Sequence, residues 1–132
     1  MPIPRIIHQT YKTNELPSQL EEYRRKLIDL HPSWDYRFYG DHECKDIVKQ
    51  YFPSFLPIYE SYSEPVQKAD IFRIIVLYAL GGFYIDIDVE CIKSLDKLCE
   101  FHCVFAEEIT IKEEQAIELG HRDLLRVANY MF

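Results

Sequence analysis

Between Leu77 and Glu90 an apolar run stops at a glycine pair, restarts as a β-rich segment and ends in two carboxylates: Leu-Tyr-Ala-Leu-Gly81-Gly82-Phe-Tyr-Ile-Asp86-Ile-Asp88-Val-Glu. This segment dictates much of the fold, because it commits a helix, a turn and a strand in fourteen residues. An ionised carboxylate is costly to bury unless it is paired or holds a metal. Two of them at the end of a hydrophobic strand point to a cation. Oxygen donors suit the hard ions Mg²⁺ and Mn²⁺, which bridge protein carboxylates to substrate phosphates. Asp-x-Asp also arises in solvated loops, so the tripeptide acquires meaning only from the glycines and the strand before it.

The chain of 132 residues is the size of one domain, 1–132, with 48% apolar and 14% aromatic residues, which excludes disorder as its dominant state. Its net charge of −7 argues against nucleic acid as a partner, since phosphate backbones need a basic face. A nucleotide needs only one local site and a cation. The longest apolar stretch, Ile71 to Ile85, is interrupted by Arg73 and the glycine pair and is too short for a transmembrane segment. The opening Met-Pro-Ile-Pro-Arg5 lacks the apolar core of a signal peptide. Four cysteines form no dense framework, so a reduced, cytoplasmic setting is expected, with peripheral membrane attachment left open. Cys91, Cys99, His102 and Cys103 follow no common zinc spacing and read better as thiols of ordinary packing.

Strands and helices alternate along the chain. Arg5 to Thr10 reads as a first strand, and Ser18, with Glu21 three residues on, as the cap of a helix running to Leu30. His31-Pro32 ends that helix. Asp35 to Tyr39 alternates as a second strand, Asp41 is expected to cap a helix to Tyr51, and Pro53 and Pro57 bracket a short helical piece. Pro65 to Leu80 reads as a helix apolar nearly all round, hence buried, and Phe83 to Asp86 as the next strand. Beyond it the pattern predicts a turn over Ser94–Lys97, a strand near His102–Phe105, an acidic helical stretch around Glu113–Leu119 and a last helix from His121. The class is therefore α/β with a mostly parallel central sheet flanked by helices. Ligands in such sheets bind at the carboxyl ends of strands, which is where Thr10 and Asp86–Asp88 fall.

Asp70 and Arg73 stand three residues apart on one face of the apolar helix. They suit either an ion pair or a polyhydroxylated ligand, whose hydroxyls and phosphate oxygens a carboxylate and a guanidinium recognise. His8 and Gln9 close the first strand; a histidine there is more often satisfied by backbone groups than catalytic. Trp34 reads as core.

In order along the chain, Ile3-Pro-Arg-Ile-Ile-His8-Gln9-Thr10, Pro32-Ser-Trp34, Ala69-Asp70-Ile-Phe-Arg73, Leu77-Tyr78 and Gly81-Gly82-Phe-Tyr84-Ile-Asp86-Ile-Asp88 resemble the DXD-type sugar transferases of capsular-polysaccharide and α-1,6-mannosyltransferase type, with the core pattern of the glucosylating bacterial toxins. The resemblance spans roughly residues 3 to 98. It implies a GT-A-like fold that takes a sugar from a UDP- or GDP-sugar donor and passes it to a saccharide, glycan or other hydroxyl acceptor, with retention at the anomeric carbon. It implies Mn²⁺ or Mg²⁺ held by Asp88 directly and by Asp86 in part, with Asp86 also against the ribose or sugar. Asp70 and Arg73 would hold sugar hydroxyls and a diphosphate oxygen. His8, Gln9 and Thr10 would lie at the nucleotide end. Gly81 and Gly82 would let the backbone approach the donor, and Tyr84 would pack nearby. A cation of this kind stabilises negative charge on a departing nucleoside diphosphate.

Relatives of that kind carry a longer C-terminal part, so a compact or truncated member, or one needing a partner chain or oligomer, is expected. Glu107 and Glu108 are weak acceptor-side candidates. Two other readings stay open: a nucleotide-sugar-binding module that does not turn over, and an aspartate-nucleophile phosphatase using Asp86 as nucleophile and Asp88 as acid/base.

Overall fold

Parallel pairing of the first two strands sets the architecture. In this computed structural model, which describes residues 2–110, 125–127 and 131–132, β1 (Ile6–Thr10) pairs with β2 (Asp35–Tyr39) from Ile6↔Asp35 to Thr10↔Tyr39. β3 (Phe83–Tyr84) joins the other edge of β1, also parallel, giving the order β2-β1-β3. The expected class, α/β with a parallel sheet flanked by helices, is what forms. β1 lies in the middle, so its burial on both faces accounts for the run Ile7-His8-Gln9, which shows no polar-out alternation.

Among the described residues four helices cover the sheet: α1 (Ser18–Leu30), α2 (Asp41–Tyr51), α3 (Leu56–Ser61) and α4 (Pro65–Leu80). On one face Tyr39, Phe72, Val76 and Tyr84 pack with Val48 of α2 and Tyr59 of α3. On the other, Ile7, Phe83 and Ile85 pack with Leu27 of α1, Trp34 and Leu95. Each fully buried aromatic or branched side chain here contributes roughly 1.5–3 kcal/mol of transfer free energy.

Helix bounds agree with the sequence pattern, but the caps differ. Pro17 and Gly40, not Ser18 and Asp41, occupy the N-cap positions, and neither makes a side-chain cap bond. At α4 a capping box forms between Glu64 and Gln67, with Pro65 in the first turn.

α4 departs from the expectation of full burial. Phe72, Arg73, Ile75 and Val76 are buried, yet Val66 is 69%, Ile74 55% and Tyr78 82% exposed. The helix packs on the sheet along one side only, and an all-round apolar pattern carries no information on which side is covered. The C-terminal expectations also shift. Residues 102–105 form no strand; β4 runs over Glu107–Thr110 and pairs antiparallel with β5 (Leu125–Val127). Strand pairing at Leu125–Val127 replaces the helix expected there, whereas the helical stretch expected at 113–119 lies outside the described residues. The turn expected at 94–97 is a 3-10 helix over Asp96–Glu100. Among the described residues no helix is long and apolar enough to cross a membrane.

Candidate functional site

The glycine pair forces the chain from α4 into β3. Gly81 and Gly82 have φ of 69° and 91°, a region that L side chains rarely adopt. A Cβ on Gly82 would stand 2.5 Å from the Ile6 carbonyl oxygen, and one on Gly81 would stand 2.9 Å from Pro4 Cγ. The glycines therefore have a reason internal to the fold: they let this segment press against the entry to β1.

β3 delivers the acidic pair to the carboxyl end of the sheet. Ile85 N–H still bonds the His8 carbonyl (3.1 Å), and then the chain turns, with the Val89 N–H on the Asp86 carbonyl (3.1 Å). Ile87 at the turn is buried, whereas Asp88 projects into solvent. Asp88 has no hydrogen-bond or ion-pair partner among the described residues.

Asp86 is half-buried, and burial raises its carboxyl above the usual carboxylate range, opposed by the positive charge of Arg73. Arg73 Nη1 lies 3.4 Å from Asp86 Oδ1 and its Nη2 lies 3.1 Å from Asp70 Oδ1. The guanidinium sits 4.8 Å over the Tyr84 ring. Tyr84 in turn shares a hydrogen bond between its hydroxyl and Thr10 Oγ1 (3.0 Å), and its phenol is pushed up to about 12, chiefly by burial. The structure thus brings together Thr10, Asp70, Arg73, Tyr84, Asp86 and Asp88. Of the two readings of Asp70 and Arg73, the ion pair is what forms: the arginine is a buried partner of both carboxylates, while Asp70 keeps half its surface.

His8 and Gln9 are placed differently from the expectation that they meet the nucleotide. Both are fully buried. His8 Nε2 lies 2.8 Å from the Gly81 carbonyl oxygen and Nδ1 lies 2.9 Å from the Tyr39 hydroxyl. Since a carbonyl only accepts, Nε2 carries the proton and Nδ1 accepts from Tyr39. Burial pushes the His8 pKa down. Gln9 Nε2 donates to the Asp86 carbonyl (3.4 Å), and the Tyr36 hydroxyl donates to Gln9 Oε1 (2.8 Å). Tyr36 and Tyr39 escape a reading by motif. Their signal lies in the β2 alternation, which places the pair beside β1 only once parallel pairing is known.

Next to Thr10 a cleft of about 720 Å³ opens between the end of β1, α2 and the first turns of α4. Tyr11, Lys12, Lys45, Tyr59, Lys68 and Phe72 are among its walls. Its volume falls in the range of small-molecule sites. Asp86 and Asp88 are not part of its lining; its lining residue Thr10 shares a hydrogen bond with Tyr84, and its lining residue Ala69 precedes Asp70.

Two carboxylates fit a hard divalent ion. No group of three His, Cys, Asp or Glu side chains converges among the described residues. Among the described residues, Asp86 and Asp88 are the carboxylates that could hold such an ion, which commonly fills its other positions with water and phosphate oxygens. Cys99 is buried, with its thiol 4.0 Å from the Leu95 carbonyl oxygen; Cys91 is partly buried and bonds the Lys93 carbonyl.

Residues 17–105 match the model of the glycosyltransferase sugar-binding region containing the DXD motif, more than half of the chain. Mannosyl phosphorylinositol ceramide synthase CSH1 of Saccharomyces cerevisiae is 46% identical over 96 residues, covering 73% of this chain and 26% of that protein. Inositol phosphoceramide mannosyltransferase 3 of Schizosaccharomyces pombe is 40% identical over 99 residues, 75% of this chain and 28% of the other. The initiation-specific alpha-1,6-mannosyltransferase of Candida albicans is 29% identical over 103 residues, 73% and 27% of the two chains. The chain spans about a quarter of the length of the curated relatives it matches. No solved structure matches it. The order of motifs along β1, α4 and β3, the acidic turn they support and the match over 17–105 converge on one conclusion: the chain belongs to the DXD-motif glycosyltransferases.

Proposed function

We propose that this chain is the donor-binding region of a metal-dependent glycosyltransferase that moves a sugar from a nucleoside diphosphate to a hydroxyl acceptor with retention. A single observation carries the reading. An exposed carboxylate without a hydrogen-bond or ion-pair partner among the described residues, Asp88, stands in a turn two residues from Asp86, which Arg73 restrains, at the end of the sheet where Thr10 lines a cleft of about 720 Å³. The transferred sugar is a mannosyl unit, as the names of its relatives suggest. An inositol headgroup on a lipid is the first acceptor to test, since two of those relatives are named for inositol phosphoceramide or its mannosyl product.

Each residue then has a role derived from its surroundings. Asp88 and Asp86 would hold Mn²⁺ or Mg²⁺. When bound, the ion supplies positive charge that stabilises the departing diphosphate. Arg73, restrained by Tyr84 and two carboxylates, opposes the effect of burial on the Asp86 carboxyl and adds a fixed positive charge at the strand ends. Asp70, half exposed beside it, accepts hydrogen bonds from sugar hydroxyls. The cleft walls Tyr11, Pro65 and Val66 offer accessible apolar surface to the nucleoside, and Lys12 and Lys68 also line it.

The test is a thermal-shift and calorimetric screen of GDP-mannose, other GDP-sugars and UDP-sugars, with Mn²⁺ and with chelator. A ligand that prefers the folded state raises the melting temperature. A rise that needs Mn²⁺ and is lost in Asp88→Ala supports the proposal. Binding indifferent to Mn²⁺ and to Asp88→Ala refutes it. Slow release of nucleoside diphosphate to water distinguishes a working transferase from a module that only binds.

A further inference from the structure

Three consecutive side chains of β1 each end on a different point of the segment that carries the acidic pair. His8 holds the Gly81 carbonyl (2.8 Å), Gln9 the Asp86 carbonyl (3.4 Å) and Thr10 the Tyr84 hydroxyl (3.0 Å). Because side chains alternate across a strand, His8 and Thr10 work from one face of the sheet and Gln9 from the other. The Gln9 connection bears on the carboxylates most directly. The Asp86 carbonyl accepts the Gln9 amide and also the Val89 N–H (3.1 Å) that closes the turn presenting Asp88. The two donors share one acceptor, so the turn is fastened to the sheet interior through a side chain that is 1% exposed.

The amide must face the right way. The Tyr36 hydroxyl donates to Gln9 Oε1 at 2.8 Å, which leaves the NH₂ group to face Asp86. A reversed amide would set Oε1 against the Asp86 carbonyl and the NH₂ against the phenol. Burial pushes the Tyr36 phenol up to about 12, so it stays protonated and able to donate near neutral pH. The order is thus β2 phenol, β1 amide, Asp86 carbonyl, acidic turn.

We infer that Gln9, oriented by Tyr36, is a positioning residue for the acidic pair: it acts through the Asp86 carbonyl to fix the Asp86–Val89 turn, and with it the aim of both carboxylates, without touching substrate. The inference rests on the proposed donor site for its functional consequence but not for its structural one. Two-ligand sites leave little tolerance, since productive geometry must hold within about 0.5 Å. Loss of a group that orients metal ligands typically costs about 10–100-fold in metal affinity.

Tyr36→Phe is the decisive variant, because it removes one oxygen and keeps the ring that packs against the core. Gln9→Glu is the second, replacing the donor facing Asp86 with an acceptor. Three quantities are measured on the whole chain: Val89 amide hydrogen exchange by NMR, affinity for guanosine diphosphate with and without Mn²⁺ by calorimetry, and melting temperature. In Tyr36→Phe, Val89 exchange rises about tenfold and Mn²⁺-dependent affinity falls about tenfold, while metal-free nucleotide affinity holds. A purely structural role would lower the melting temperature and leave the local exchange and the metal dependence alone. Wild-type values for either Val89 exchange or Mn²⁺-dependent affinity in Tyr36→Phe overturn the inference. Should wild type itself show no Mn²⁺ dependence, the proposed function falls, and Val89 exchange alone decides whether Gln9 holds the turn. Should Gln9→Glu fail to fold, the Tyr36→Phe measurements still separate a positioning role from a structural one.

Discussion

Arg73 Nη1 and Asp86 Oδ1 lie 3.4 Å apart, and the same guanidinium reaches Asp70 at 3.1 Å while lying over the ring of Tyr84. The arginine comes from the buried side of α4, and the carboxylate from the turn after β3. One side chain therefore couples the helix to the acidic turn. Its charge opposes the burial that would otherwise favour protonated Asp86.

Arg73→Met should destabilise the fold by about 3 kcal/mol. Removing one partner of a buried pair costs about 3–5 kcal/mol, and the partial exposure of Asp86 places this case at the low end. Adding Asp86→Asn should recover part of the loss, since the amide carries no charge to leave unpaired. A double-mutant cycle by urea denaturation measures the coupling. Additive effects would mean that the two side chains do not interact.

Asp88→Ala should behave in the opposite manner. Its carboxylate is exposed and has no partner among the described residues, so stability should move by no more than about 0.5 kcal/mol. Metal-dependent nucleotide-sugar affinity should drop by at least about tenfold. Equal affinity in the mutant and the wild type would remove Asp88 from the site.

The contrast between these two aspartates shows what could be read from the chain. Asp86 and Asp88 are two letters apart, and the sequence pattern located both at a strand end. It could not separate their surroundings, because Arg73 approaches from thirteen residues upstream and selects Asp86 only through the packing of α4 on β3. The bounds of α1, β2, α2 and α4 were legible because proline, glycine and periodicity mark them locally. The burial of His8 and Gln9 was not. It depends on β1 being the central strand, a property of pairing order rather than of local composition. The exposed stripe of Val66, Ile74 and Tyr78 is hidden from the sequence for a similar reason: composition reports that a face is apolar, not that a neighbour covers it. Residues 102–105 carry apolar letters without a partner strand, and the strand forms instead at Glu107–Thr110, where Leu125–Val127 pairs with it.

Gly82→Ala should destabilise the protein by at least about 2 kcal/mol, through the strained φ and the collision of its Cβ with the Ile6 carbonyl. Gly81→Ala meets a side-chain atom of Pro4 rather than backbone, so its loss should be smaller. Thermal unfolding of both variants ranks them. A Gly82→Ala protein as stable as wild type would show that the segment does not pack as described.

Stability should also fall as the solution turns mildly acidic, and His8 should be a main cause. Burial lowers its folded pKa below the ordinary value of 6.5. Between that lowered value and 6.5 the unfolded chain binds the proton more readily than the folded one, so stability rises with pH through this window. Its slope is at most about 1.4 kcal/mol per pH unit for one such group. The raised carboxyl of Asp86 acts in the opposite sense. There the folded state holds its proton longer, so stability falls with rising pH from the usual carboxylate range up to the folded pKa. Replacing His8 with Gln removes the first contribution and keeps a donor for the Gly81 carbonyl. Melting temperatures measured every half unit from about pH 4.5 to 7.5 should climb more steeply in wild type than in His8→Gln in the window just below the ordinary histidine value of 6.5. Parallel curves would mean that His8 takes up its proton as easily in the folded chain as in the unfolded one.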